Sequence, residues 1–371
     1  MERRRLGRTE LHTSLLGFGG FHLLEIPVKE ASSLLTHYLD AGGNYIETAA
    51  GYGIGESERK IGASVSNRRH EFILASKISV RDKEAAAQSI DQSLQNLHTD
   101  YLDILLIHGV ENADVLNGVL SENGSYIAAL QAKEAGKIRH IGISMHGRPV
   151  SLLEALKTDK FEAIMSTINY YDRCNFPEIE DELLPLASST DTGVILMKPL
   201  ADGYLYQNPE KAFMYAFSRP VSVIVAGINN MSLLIKDLDL AENYKPPKQE
   251  EIDAIFSEAP ELGSYVCRQC GKCSCVKGIN IQEVFASEAY FDRQMMRGSV
   301  GDTAQYALSE RLRFWFGQKQ DGYDRYEKLN PNADVCDETC EWPCSRMCPY
   351  NINIPYKMKL AGYKLGKKMI F

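Results

Sequence analysis

The stretch that decides the fold runs from Tyr101 to His146. It holds YLDILLIHGV (101–110), a helix-like segment, and then IRHIGISMH (138–146). Both apolar runs are short, rich in branched side chains and without clean polar alternation, as expected of parallel strands buried on both faces. The same rhythm extends outward in both directions. Upstream lie SLLGFGG (14–20), NYIETA (44–49) and FILASKI (72–78); downstream lie AIMSTINY (163–170), GVILMKPL (193–200) and VSVIVAGI (221–228). A helix-like segment follows each one. In VKEASSLLTHYLDAGG (28–43), Ala31, Leu34, Leu35, Tyr38 and Leu39 recur on one helical face and glycines close the segment. Eight right-handed β/α units between residues 14 and 243 predict an α/β chain closed into a (β/α)8 TIM barrel. An open doubly wound sheet, the competing architecture, usually stops nearer about six strands.

Beyond the repeat, RRRLGRTELHTS (3–14) reads as a hairpin turning at Thr9-Glu10 that plugs the bottom of the barrel. Lys245-Pro246-Pro247-Lys248 cannot continue a helix, which places a boundary between a barrel of residues 1–245 and an extension of residues 246–371. A polar helix, QEEIDAIFSEAP (249–260), leads into that extension. ERLRFWFGQ (310–318) reads as packing residues, and KLAGYKLGKKMIF (359–371) as a basic, partly amphipathic terminal helix.

Composition narrows the function. Of 371 residues 44% are hydrophobic and 24% charged, the balance of a soluble globular protein. A net charge of −8 offers no overall positive field for a phosphate backbone, so nucleic acid is not an expected partner. MERRRLGRTELHTS has no apolar core of a signal peptide, and no uncharged run reaches the roughly 18 residues of a membrane span, so a cytoplasmic location is expected. All eight histidines fall at or before His146, and eight of nine cysteines at or after Cys267, so the two ends of the chain carry different chemistry.

In a barrel of this kind the polar residues at the carboxyl ends of the strands carry the chemistry. Strand two ends at Glu47 with Tyr52 in the loop behind it, strand three at Lys77 and strand four at His108. A lysine beside a tyrosine favours the phenolate and lowers a pKa ordinarily near ~10, so the phenol can donate a proton to a substrate oxygen. A carboxylate paired with that lysine orients it and keeps it charged. A lone lysine or histidine is usually a solvated or structural residue; the joint placement on successive strand ends is what points to catalysis.

GGNYIETAAGYGIGESERKIG (42–62), LASKIS (74–79), YLDILLIHG (101–109) and GKIRHIGIS (136–144), with ELLPLA (182–187) and KPLADG (198–203), resemble the aldo-keto reductases across roughly residues 3 to 244. The resemblance implies that Tyr52 is the general acid, Lys77 tunes it and His108 orients the substrate carbonyl. Glu47 stands in the place of the family's aspartate, one methylene longer. It also implies a nicotinamide cofactor, NADP or NAD, across the barrel mouth. Ser144 then holds the carboxamide, although the asparagine usual after it is Met145 here, and Asn169 completes that contact. Met197 replaces a stacking aromatic ring, Lys198, Pro199 and Leu200 line the pyrophosphate path, and Gly20 and Gly227 let the backbone approach the cofactor, with Asn229 and Met231 following. Lys236 is the one cation near the 2′-phosphate position, so NADP is only slightly favoured. GYGIGES (51–57) fails the G-x-G-x-x-G spacing and is not a dinucleotide fingerprint.

The tail carries thiolates without histidine. Cys267, Cys270 and Cys273 are each separated by two residues, Cys275 follows after one, and Cys336, Cys340, Cys344 and Cys348 are each separated by three, with Pro349 after the last. Bacterial ferredoxins use three close cysteines for one cluster and complete it with a cysteine before proline from the other run. By that rule Cys267, Cys270, Cys273 and Cys348 form one [4Fe-4S] site, and Cys275, Cys336, Cys340 and Cys344 a second of less regular spacing. The tail resembles the ferredoxin-like, mainly helical extension carried by a subset of aldo-keto reductases. Four-cysteine zinc sites are the alternative reading. Cys174, in NYYDRCNF (169–176), is expected to be unligated.

These observations point to an NAD(P)H-dependent oxidoreductase moving a hydride to or from a small-molecule carbonyl or alcohol, with an accessory iron–sulfur domain. Two other classes fit the same sequence: a redox sensor that binds nicotinamide without turnover, and an electron-transfer component that docks a redox protein partner through the tail. A hydride carries two electrons and a cluster takes one, so direct transfer between them calls for a mediator, and no flavin site is recognisable.

Overall fold

The computed structural model describes residues 1–295 and 319–366; ERLRFWFGQ (310–318) and residues 367–371 of the terminal basic stretch lie outside the described residues. Two compact units emerge. One comprises residues 1–168, 178–199 and 213–246; the other comprises residues 169–177 and 200–212 together with the chain from Pro247. Among the described residues no helix is long and apolar enough to cross a membrane.

The first unit opens with a hairpin, β1 (Arg3–Arg5) antiparallel to β2 (His12–Ser14). Its turn is closed by the Glu10 amide donating to the Gly7 carbonyl, with Glu10 in the left-handed region. Eight parallel strands follow: β3 (Leu16–Gly19), β4 (Tyr45–Glu47), β5 (Ile73–Ile78), β6 (Leu102–Ile107), β7 (Ile138–Ser144), β8 (Ala163–Thr167), β9 (Gly193–Met197) and β10 (Val223–Gly227). They pair in chain order, and β10 returns to β3 to close the barrel.

Alternate residues of these strands fill the interior: Tyr45 from β4, Ile73 and Ala75 from β5, Ile104 and Leu106 from β6, Ala163 and Met165 from β8, Ile195 and Met197 from β9, and Val223 and Val225 from β10. Leu6, in the hairpin turn, joins the same cluster and is wholly buried, so the hairpin does plug one end. Gly17 shares the inward register, and a Cβ there would lie 2.8 Å from Val223 and 2.9 Å from Tyr45, so the large Tyr45 ring requires a glycine opposite it.

The period of two has a direct consequence for the site. Two residues past Tyr45 is Glu47; two past Ala75 is Lys77; two past Leu106 is His108. The register that packs the core therefore aims these three side chains inward at the carboxyl ends of their strands.

In the second unit, QEEIDAIFSEAP forms the helix Gln249–Glu258. The cysteine-bearing segments pack with the helices Ile281–Asp292, Lys319–Glu327, Pro343–Met347 and Ile354–Leu365. Their core joins Ile281, Val284, Phe285, Tyr326, Ile354 and Met358 to Cys267 and Cys344. Asn280 and Asn353 start their helices by accepting the amides of Glu283 and Tyr356.

Candidate active site

At the mouth of the barrel the Lys77 ammonium is 1% exposed and has three partners. It touches the Glu47 carboxylate, donates to the Thr48 carbonyl at 3.1 Å and donates to the Tyr52 hydroxyl at 3.2 Å. An ammonium has three hydrogens, and all three are engaged. The extra methylene of Glu47 does not part it from Lys77. Burial pushes the Lys77 pKa down, and the carboxylate in direct contact opposes that push.

Tyr52 is carried by a tight loop in which Gly53, Ile54 and Gly55 all adopt left-handed backbone, with φ of 59°, 53° and 78°. A Cβ at Gly55 would also come within 2.5 Å of Asn96, so the glycines of GYGIGES serve this turn. The loop sets the Tyr52 ring edge-on to Phe21 at 5.1 Å and to His108 at 6.1 Å. Burial pushes the Tyr52 phenol above its ordinary value. The expectation of a lowered phenol is thus corrected for this structure: desolvation outweighs the neighbouring cation.

His108 is held by Ser79, whose hydroxyl lies 3.3 Å from Nδ1, and by Arg81, which donates to the His108 carbonyl at 2.7 Å. Burial, aided by the charges of Lys77, Arg81 and Lys198, pushes its pKa down to about 3, so the imidazole is neutral at neutral pH. His146 stands 6.2 Å from it.

The other positions singled out in the sequence fall as follows. Ser144, at the end of β7, is buried, accepts the Gly109 amide at 3.2 Å and donates to the Ile107 carbonyl at 3.4 Å. Met145 follows with its sulfur 2.9 Å from the Ser151 hydroxyl. Met197 ends β9 facing inward, and Lys198 turns the chain with a φ of 58°. Gly227 ends β10, where a Cβ would meet His22 at 2.3 Å. Gly20 is also close-packed, a Cβ there lying 2.8 Å from Ser57. Asn229 donates to Glu25 at 2.7 Å, Asn230 caps the helix Met231–Glu242 through the Leu233 amide, and Lys236 is exposed on that helix.

Asn169 and Leu200 lie in the two segments that group with the second unit. The Asn169 side chain caps the helix Tyr170–Asn175, its oxygen on the Asp172 amide and its nitrogen on the Asp172 carboxylate, both at 2.8 Å. Phe21, Ser79, Arg81, His146 and Glu25, the partner of Asn229, were not foreseen from sequence. All but Glu25 lie within four residues of a strand's carboxyl end, which is the signal that would have found them.

Lys77, Arg81 and Lys198 all bear on His108 at the mouth, and the helix start that follows β10 is a place where a phosphate can be held. In the second unit Cys267, Cys270, Cys273 and Cys348 line one cavity with Phe285 and Tyr350. Cys275, Cys336, Cys340 and Cys344 are mutual neighbours whose charges push the Cys336 thiol up, after burial. Among the described residues no group of three or more His, Cys, Asp or Glu side chains closes on a single metal ion. Cys174 is buried in the helix Tyr170–Asn175.

The profile of the Aldo/keto reductase family matches residues 15–239. The uncharacterized oxidoreductase YqkF of Bacillus subtilis is 31% identical over 312 residues, covering 70% of this chain and 97% of that protein. L-galactose dehydrogenase of Arabidopsis thaliana is 34% identical over 224 residues, 55% of this chain and 67% of that protein. Among solved structures, the holo form of aldo-keto reductase AKR11C1 from Bacillus halodurans superposes with a TM-score of 0.59 at 25% identity, covering 69% of this chain and 95% of its own. An aldo-keto reductase from Klebsiella pneumoniae in complex with NADPH shares the fold, with a TM-score of 0.58 at 20% identity over 69% of this chain and 94% of its own. Matching these proteins across the whole barrel, the chain is an oxidoreductase that belongs to the aldo/keto reductase family.

Proposed function

We propose that the chain transfers a hydride between NAD(P)H and the carbonyl or alcohol carbon of a small organic substrate, with Tyr52 as proton donor in reduction and acceptor in oxidation. The observation that carries this reading is the triply engaged Lys77 ammonium, fixed between Glu47 and the Tyr52 hydroxyl. A bound reduced nicotinamide supplies the hydride. Glu47 keeps Lys77 charged and still. Lys77 stabilises negative charge on the Tyr52 oxygen as its proton leaves, while burial keeps the phenol protonated until then. In the tautomer in which the Ser79 hydroxyl donates to Nδ1, the neutral His108 carries its proton on Nε2 and can donate it to the substrate oxygen.

Ser144, Met197, Lys198, Gly227 and the start of the helix Met231–Glu242 are the residues that would hold the dinucleotide, joined by Gly20 and Lys236 on the family pattern. On the family pattern, Lys236 near the 2′-phosphate position favours the phosphorylated cofactor. The Glu25 carboxylate bonded to Asn229 works against a second negative charge at that end, so the preference is slight. Steady-state assays over an aldehyde and ketone panel test the reading: Tyr52→Phe is expected to lower kcat by about 10²- to 10⁴-fold, and unchanged turnover would overturn it.

The extension of residues 246–371 is proposed to hold two [4Fe-4S] clusters, one on Cys267, Cys270, Cys273 and Cys348, the other on Cys275, Cys336, Cys340 and Cys344. The support is the grouping itself. The first four line a common cavity, and the second four are one another's electrostatic neighbours. Thiolates alone can hold either metal, and the C-x2-C-x2-C run with the Cys348-Pro349 pair favours the cubane over zinc. A cluster supplies a one-electron couple. Iron and acid-labile sulfide assays on anaerobically purified protein test it, since a zinc protein is colourless.

A further inference from the structure

The proposed dinucleotide residues Ser144, Met197, Lys198, Gly227 and Gly20 end or follow β7, β9, β10 and β3. In the closed barrel these strands, with β8 among them, form one continuous arc. The remaining arc, β4, β5 and β6, carries Tyr52, Ser79, Arg81 and His108 at its carboxyl ends and is left to the substrate.

Contacts join that arc into one patch. A Cβ at Gly51, the residue before Tyr52, would lie 3.8 Å from the Ser79 hydroxyl, which is itself 3.3 Å from His108 Nδ1. Two residues on, Arg81 donates through Nη2 to the carbonyls of His108 and Gly109 at 2.7 and 2.9 Å. Its backbone is held as well. Asp82 caps the helix Lys83–Leu97 by accepting the Ala85 amide at 2.9 Å, and the Lys83 amide donates to the Asn123 carbonyl at 2.9 Å.

Charge on this patch is not balanced. Glu47 is in contact with Lys77, whereas Arg81 forms no ion pair among the described residues. The exposed Glu111 acts on the guanidinium from farther away. Arg81 Nη1 is buried and has no acceptor among the described residues, while the side chain as a whole is only partly buried. An unmet buried donor is costly, and at the edge of a substrate site an acceptor brought by the ligand relieves it.

We propose that Arg81 binds an anionic substituent of the substrate, a carboxylate or a phosphate, so that the chain prefers oxo-acids or phosphorylated aldehydes to neutral carbonyls. The inference rests on the reading of the barrel as an NAD(P)H-dependent reductase. A guanidinium presents its donors in one plane, which suits two oxygens of a single anion. The substituent is a handle and takes no part in the bond changes at the carbonyl, where Tyr52 and His108 act.

The test uses the full chain and measures kcat/KM for two matched pairs: 4-carboxybenzaldehyde against its methyl ester, and glyceraldehyde 3-phosphate against glyceraldehyde. At least one anion is expected to exceed its neutral partner about tenfold or more, and the pair that does so identifies carboxylate or phosphate. Arg81→Gln is expected to lower that preference about tenfold, chiefly through KM, and Arg81→Lys, which keeps the charge without the fork, to lower it less. Glu111→Gln removes an opposing negative charge and is expected to raise the preference. Because Arg81 also holds the His108 and Gly109 carbonyls, loss of that anchoring alone would slow both members of a pair equally. An unchanged ratio in Arg81→Gln would therefore overturn the proposal, as would a wild-type chain that favours neither anion. Calorimetric titration of the NADP-loaded chain with benzoate and with inorganic phosphate reads binding without turnover. At least one is expected to bind and to lose about tenfold in affinity in Arg81→Gln; binding of neither would count against the handle. Aldehyde reduction that survives Tyr52→Phe would instead refute the reductase reading, and the substrate assignment would fall with it.

Discussion

The Lys77 ammonium lies 3.2 Å from the Tyr52 hydroxyl while in contact with the Glu47 carboxylate, so one buried cation joins the proposed acid to its counter-ion. Removing the counter-charge strands that cation. Glu47→Gln is expected to destabilise the chain by about 3 kcal/mol in urea unfolding, the cost of breaking a buried pair, and to lower kcat. Glu47→Asp keeps the charge on a shorter arm and is expected to retain more stability than Glu47→Gln.

The pH profile follows from the two shifted groups. His108, pushed down to about 3, is neutral above that value and contributes no inflection across about pH 5 to 9. Tyr52, pushed above its ordinary value, stays protonated, so kcat/KM for reduction is expected to fall only on the alkaline side, as the phenol loses its proton. An acid limb near the ordinary histidine value that His108→Ala removes would contradict this.

A second titration concerns stability. Burial pushes the Asp237 carboxyl up from 3.8 to about 7, against the opposing pull of Lys236. Between those values the folded chain holds a proton that the unfolded chain has lost, so this group's contribution is present at low pH and fades as pH rises through the window. Asp237→Asn is expected to flatten the dependence and to raise stability at about pH 8 by on the order of 1–2 kcal/mol, read from urea midpoints.

In the second unit Arg293 and Asp172 form an ion pair in which each side chain is 1% exposed. Asp172→Asn leaves a buried guanidinium facing a neutral amide and is expected to cost about 3–5 kcal/mol. If that unit unfolds apart from the barrel, calorimetry should show the loss in one of two transitions.

The two proposed cysteine groups should separate chemically. Cys270→Ser is expected to remove about half of the iron and leave the second group's spectrum, and Cys340→Ser the reverse. Equal and total loss from either substitution would mean that the two groups fold as one.

Much of this was legible in the sequence because one signal served several purposes. Eight apolar runs fixed the barrel, and their carboxyl ends marked Glu47, Lys77 and His108 without knowledge of any contact. The Asn169 side chain also caps Tyr170–Asn175, a second contact that the family pattern does not announce. The sign of the Tyr52 shift was not legible either, since desolvation depends on every neighbour while the lysine pairing depends on one. Buried Lys357, bonded to Gln294 at 2.5 Å, lies on the apolar face of the helix Ile354–Leu365, where a lysine is not expected. The Cys267 amide donates to that same Gln294 oxygen at 2.8 Å, a contact between residues far apart in the chain.

The inward register shared by Tyr45 and Glu47, by Ala75 and Lys77, and by Leu106 and His108 ties chemistry to packing. Inserting or deleting one residue within β5 or β6 would turn the reactive group out of the mouth and the hydrophobic filling out of the centre in a single stroke. Length changes compatible with a working enzyme are therefore confined to the connections, where new substrate preferences can arise without disturbing the frame in which the reactive groups are written.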